Sequence, residues 1–120
     1  MYNRELRPTG LELTQFTLLM TLQICGETTQ GKLGRLLALD STSLTRMLRW
    51  LAKRGWISEK QGVDRRQKLL RLSASGKQTL EKAWPYWENA QAHLRQRVGE
   101  ETWGQMGTWL VKVLEASMAA

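Results

Sequence analysis

Five side chains suited to gripping a polyanion share one side of a single segment, 41–54. On a helical wheel of about 100° per residue with Leu44 at zero, Thr45, Arg49, Thr42, Lys53 and Arg46 fall between about 100° and 200°. Leu48 and Leu51 lie within about 40° of Leu44, and Met47 about 60° away, so the same helix carries an apolar stripe for a core. The far face holds hydroxyls and cations and no carboxylate. A face made for solubility mixes signs through Glu and Lys pairs, whereas a face that enters a groove between phosphates avoids acids. The chemistry on offer is recognition of a polyanion.

Catalysis has little to work with. The chain holds one histidine, His93, and one cysteine, Cys25, with no glycine-rich phosphate loop and no paired metal ligands. We therefore expect no enzyme activity, no metal and no cofactor. His93 reads as a surface or interface residue. Cys25, at the end of a helix with no adjacent cation in sequence to lower its pKa, reads as a small buried thiol, the competing reading being a redox switch.

The elements that position the polar face are legible in periodicity and caps. Phe16, Leu19, Met20 and Ile24 recur at helical spacing over 14–24, with Thr14 as candidate N-cap and Gly26 past the end. A shorter helix over about 29–39 would bury Leu33, Leu36 and Leu37, and Asp40 offers an N-cap to the polar-faced helix. Gly55 can end that helix in the left-handed conformation. Residues 56–60 and 68–73 then read as a hairpin around the polar tip QGVDRRQ, a ribbon too short to stand without the helices. Ser73 caps a long helix that Pro85 should kink or break in two. After Gly99 a last helix carries Trp103, Met106, Leu110, Val113 and Leu114 at spacings of three and four, an apolar stripe in search of a partner.

Composition fits this reading. A length of 120 residues supports one domain. No run of about 18 apolar residues suggests a membrane span. The opening MYNRELRPTG lacks the apolar stretch of a signal peptide, so a cytoplasmic protein is expected, which the single cysteine also suits. The net charge of +7 is concentrated: positions 32–77 hold twelve Lys or Arg against three acids, a net +9, and the flanks hold six basic and eight acidic residues, a net −2. A basic middle with mildly acidic flanks implies a polyanion-binding surface and a separate part with another task.

The strings GLELTQFTLL (10–19), LGRLLALDSTSLTRMLRWLAKRGWI (33–57) and DRRQKLLRLSASGK (64–77), in that order and followed by the long helix, resemble the multiple-antibiotic-resistance regulator (MarR) family. The most specific part is the Asp-x-Arg pattern Asp64-Arg65-Arg66, followed by a strand and the helix start Leu72 to Gly76. The resemblance implies a mainly α protein with a small two- to three-stranded antiparallel wing, a winged helix-turn-helix that forms a MarR-like homodimer. It implies one domain over 1–120, with 14–77 binding DNA and 1–13 and 78–120 dimerising.

It further implies a regulator of transcription, expected to be a repressor, on double-stranded DNA with a palindromic operator. Residues Ser41 to Arg49, including Thr42, Ser43, Thr45 and Arg46, would enter the major groove, where Arg46 and Arg49 can offer paired donors to guanine; Lys53 extends that face. Arg66 would reach the minor groove, flanked by Arg65 and Lys68, with Asp64 orienting the Arg66 guanidinium. Members usually have a longer N-terminal helix than the twelve residues before Leu13, so the C-terminal stripe is expected to carry more of the dimer contact. Members often respond to small aromatic effectors. Trp50, Trp84 and Trp87 could line such a pocket between the DNA-binding part and the dimer helices, the alternative being plain core packing. A winged-helix module that binds protein or RNA without operator specificity is the competing function.

Overall fold

The computed structural model describes residues 1–64 and 66–118. In chain order the elements are α1 (Tyr2–Leu6), a single 3-10 turn (Arg7–Thr9), α2 (Leu13–Cys25), β1 (Thr28–Thr29), α3 (Gln30–Leu37), α4 (Ser41–Lys53), β2 (Ile57–Gln61), β3 (Lys68–Leu72), α5 (Ala74–Val98) and α6 (Glu100–Met118). The three strands form one antiparallel sheet in the order β1-β3-β2. This is a winged helix: mainly α, with α3 and α4 as the helix-turn-helix and β2-β3 as the wing.

The caps explain the boundaries. Asp40 accepts a hydrogen bond from the Ser43 N–H at 3.0 Å and starts α4. Hydrogen bonds from Ser43 hold the Asp40 carboxyl below its ordinary pKa, so the cap is present at neutral pH and is lost as pH falls through that lowered value. Thr29 does the same for α3 through the Lys32 N–H, and Ser73 for α5 through the Gly76 N–H. For α2 the expected cap was wrong. Glu12, not Thr14, is the N-cap, in a capping box where Gln15 answers the Glu12 N–H at 2.9 Å. Thr14 lies inside the helix.

The core gathers Leu6, Leu11, Phe16, Leu18, Leu19, Leu22, Leu33, Leu44, Leu48, Leu51, Ile57, Leu70, Leu72, Leu80 and Ala83. Leu44, Leu48 and Leu51 are buried as the wheel predicts, with Met47 packed at the edge. Two expected core residues are solvent-facing: Ile24 is 77% exposed and Leu36 55%. In α2 the buried set is Phe16, Leu18, Leu19 and Leu22, which puts Ile24 beyond the last core contact; in α3 only Leu33 is fully buried and Leu37 is half-buried. Of the kink or break expected at Pro85, the break into two helices does not occur: α5 is continuous from Ala74 to Val98. Pro85 and Glu81, whose carbonyl lacks its helical donor, both sit on the solvent side, where water can replace the lost bond.

One knot of backbone ties wing, α4 and α5 together. The Ser73 N–H donates to the Trp56 carbonyl at 3.0 Å, the Ser73 hydroxyl donates to the Gly55 carbonyl, and its oxygen accepts from the Gly76 N–H. Gly55 has φ +76°, which ends α4 and turns the chain into β2. Gly76 lies so close that a Cβ there would stand 1.9 Å from the Trp56 carbonyl oxygen. Alanine normally favours a helix over glycine by about 1 kcal/mol, but overpacking costs roughly 1–3 kcal/mol and backbone cannot swing aside as a side chain can. Gly76→Ala should therefore lower the urea midpoint, despite the better helix former; an unchanged or raised midpoint would contradict the contact.

A second stability prediction concerns Thr28, paired with Leu70 across β1 and β3 and 5% exposed. Its Oγ1 is buried with no hydrogen-bond partner among the described residues. An unsatisfied buried hydroxyl costs roughly 1–3 kcal/mol. Thr28→Val should raise the thermal midpoint, and a drop would mean the hydroxyl is satisfied.

Candidate nucleic-acid interface

The polar face of α4 is exposed as the sequence predicts. Ser41, Thr42, Thr45, Arg46, Arg49 and Lys53 are exposed and Ser43 is half-buried, while Leu44, Leu48 and Leu51 hold the opposite side in the core. None of the salt bridges among the described residues involves Arg46, Arg49 or Lys53. Thr45 is engaged: its Oγ1 accepts from Gln30 Nε2 at 2.9 Å, which locks the start of α3 onto α4. Gln30 carries no local signal in the sequence, because its contact bridges two helices.

The wing tip is built differently from the expectation. Asp64 Oδ1 accepts from the Arg66 backbone N–H at 3.0 Å, Gln67 N–H donates to the Asp64 carbonyl, and Gly62 N–H to the Gln67 carbonyl. Asp64 thus shapes the turn through backbone, and no ion pair with the Arg66 guanidinium occurs among the described residues. Arg66 and Lys68 are exposed; Arg65 lies outside the described residues.

The other cations of the basic segment sort by what they touch. Lys60 pairs with Glu27 at 3.2 Å, Arg71 Nε donates to Ser58 Oγ at 3.3 Å, and Arg54 lies 3.8 Å over the Trp50 ring and 5.5 Å from Trp56. Those three serve the fold of the wing and of the α4 end. Lys32 and Arg35, on α3, are exposed beside the wing and share a cleft with Arg66 and Lys68. Lys32 and Arg35 belong to the basic segment of the sequence, but only the fold brings them to the wing.

Trp50, Trp84 and Trp87 line no common cleft among the described residues. Trp50 packs edge-on to Trp56 at 5.7 Å, whereas Trp84 and Trp87 pack with Phe16 at 6.0 and 5.7 Å. A cleft of about 400 Å³ is lined by Trp84, Leu80, Pro85, Gln23, Lys77 and Glu81, without Trp50 or Trp87. Trp50 sits on the half-buried flank of α4 and is held there by Arg54, which is why it cannot join the other two. Cys25 is exposed, correcting the buried-thiol reading: it is the last residue of α2, past Leu22, the last residue of that helix in the core. His93 is half-exposed, with Nδ1 2.9 Å from Glu5 Oε1 of α1.

α6 leaves a large apolar face open. Trp109 is 74% exposed, and Leu110, Val113, Leu114, Val111 and Met106 are exposed beside it. No helix among the described residues is long and apolar enough to cross a membrane.

These features have counterparts in known proteins. The MarR family model matches residues 11–68. The uncharacterized HTH-type transcriptional regulator YwoH of Bacillus subtilis is 32% identical over 79 residues, which cover 66% of this chain and 58% of that protein. Among solved structures, the M. tuberculosis transcriptional regulator MosR in complex with DNA is 32% identical and superposes with a TM-score of 0.81, covering 98% of this chain and 85% of that one. A mutant MarR from E. coli complexed with operator DNA is 25% identical, with a TM-score of 0.84 over 94% of this chain and 82% of that one. On fold, wing and the matched segment together, the chain belongs to the MarR family.

Proposed function

We propose that the protein is a homodimeric regulator of transcription, expected to repress, that binds a palindromic operator in double-stranded DNA. The observation that carries this reading is the exposed, acid-free face of α4 set beside a basic wing on a rigid core. Such a helix fits the major groove, where Arg46 and Arg49 would address base edges, Thr42 and Lys53 would meet phosphates, and Ser41, Ser43 and Thr45 would sit at its leading end. Arg66, with Lys68 and Arg65, would meet the minor groove and its flanking phosphates. The DNA complexes of MosR and MarR, both similar to this chain, support the same use of the fold.

In this reading 14–77 binds DNA, and 1–13 with 78–120 dimerise. The open face of α6 supports a second copy as its cover, because an apolar patch of this kind is rarely left to water. The role is binding rather than catalysis, and an exposed lone thiol suits the reducing cytoplasm.

Light scattering should give a dimer mass, and Leu110→Asp in the open face should shift it toward monomer while circular dichroism stays helical. A wild-type monomer at micromolar concentration that binds duplex one-to-one would remove the dimer. Selection of bound duplexes from a random pool should return a palindrome with half-sites about one helical turn apart. An unenriched pool would instead favour a module without operator specificity. On the selected site, Arg66→Ala should weaken binding by roughly 1–3 kcal/mol and relax preference for A·T-rich flanks. An identical footprint and affinity would take the wing out of the interface.

A further inference from the structure

The cleft between α3 and the wing collects four cations and no acid. Lys32 and Arg35 come from α3, Arg66 and Lys68 from the wing, and together they line a space of about 530 Å³. The two groups lie more than thirty residues apart and meet because β1 pairs with β3: Thr29 stands opposite Leu69, which sets the start of α3 beside Lys68. Asp64, the nearest acid in sequence, is turned to the Arg66 backbone N–H and does not line the cleft. None of the four cations forms a salt bridge among the described residues. Elsewhere in the basic segment the fold does neutralise or cover charge, as with Lys60 on Glu27 and Arg54 on Trp50. Gathering like charges around a concave surface costs energy that a bound anion removes.

We propose that this cleft seats one phosphate of the DNA backbone in each subunit, as a clamp between the groove-facing helix and the wing. The inference rests on the DNA-binding reading above and adds Lys32 and Arg35 to it. Gln30 joins the cleft to α4 through Thr45, so a phosphate held there fixes the spacing of α4 and wing along the duplex. Gly31, on the cleft wall, leaves open space where a side chain would stand, so backbone can approach the phosphate closely. The contact reads no base. It sets register and contributes equally on every sequence.

The test is duplex affinity as a function of salt for wild type, the double variant Lys32→Gln/Arg35→Gln, and Lys82→Gln, an exposed α5 cation outside the cleft. Both target side chains are exposed, and the cap at this end of α3 uses the Lys32 backbone N–H, which the substitution keeps. Each lost phosphate contact lowers the slope of log affinity against log salt by about 0.9, so a dimer losing two clefts should lose about 1.8. Operator and random duplexes should weaken by the same factor, leaving their ratio unchanged, and Lys82→Gln should match wild type. A slope equal to wild type, or a loss confined to operator, would overturn the clamp. Inorganic phosphate titrated without DNA at fixed ionic strength supplies the other arm. Tight binding that needs Lys32 and Arg35, with the duplex slope unchanged in the variant, would assign the cleft to a free anion and overturn the proposal. Failure of the wild type itself to bind duplex would strike the DNA-binding reading, whereas normal wild-type binding with an unaltered variant would strike only the clamp.

Discussion

The contact between the first turn of α5 and the backbone of Gly55 and Trp56 governs the geometry of everything functional. Ser73 binds both carbonyls, and the missing Cβ of Gly76 lets the helix lie directly on the strand. Three elements leave this point: α4 arrives through Gly55, the wing departs as β2, and α5 starts its long run toward α6. Fixing them together fixes the angle between α4, the ribbon beside it and the α5 helix that leads to α6. A side chain at Gly76 would force all three to readjust, which couples a packing constraint to the placement of the interface.

Electrostatics is arranged around the same frame. The sheet register brings α3 to the wing, and the core side of α4 leaves its polar side outward with no acid to quench it. Cations the fold needs are paired or stacked, as Lys60, Arg71 and Arg54 are. Arg46, Arg49 and Lys53 stand exposed on α4, and Lys32, Arg35, Arg66 and Lys68 line the cleft between α3 and the wing. The strong net charge of the basic segment is thus divided between structure and surface, and only the second part is available to a polyanion.

What could be read from sequence was what depends on neighbours within a turn or two. The α4 wheel and the caps at Asp40 and Ser73 involve residues three or four apart, the hairpin around the polar tip pairs residues seven to fifteen apart, and each is present. The cap of α2 was misread because Glu12 and Gln15 make a capping box with an acid in place of the more usual hydroxyl. Ile24, Leu36 and Cys25 were misplaced because periodicity marks a helix face without saying where the core stops. Trp50 was grouped with Trp84 and Trp87 by residue type alone, whereas Arg54 and Trp56 hold it on another surface. Asp64 acts on a backbone N–H that no residue pattern displays, and the roles of Gln30, Lys32 and Arg35 arise from strand pairing across the chain. Local chemistry was legible, and the convergence of distant segments was not.

If the acid-free face of α4 and the basic wing bind duplex DNA through phosphates and then discriminate through bases, both terms must show in the salt dependence of binding. The most direct measurement is the affinity of the wild-type protein for its selected duplex and for a scrambled duplex from about 50 to 200 mM salt. A steep linear fall of log affinity with log salt is expected for both, with the selected duplex bound at least about a thousandfold more tightly at physiological salt. Affinity that ignores salt, or equal affinity for the two duplexes throughout, would contradict it.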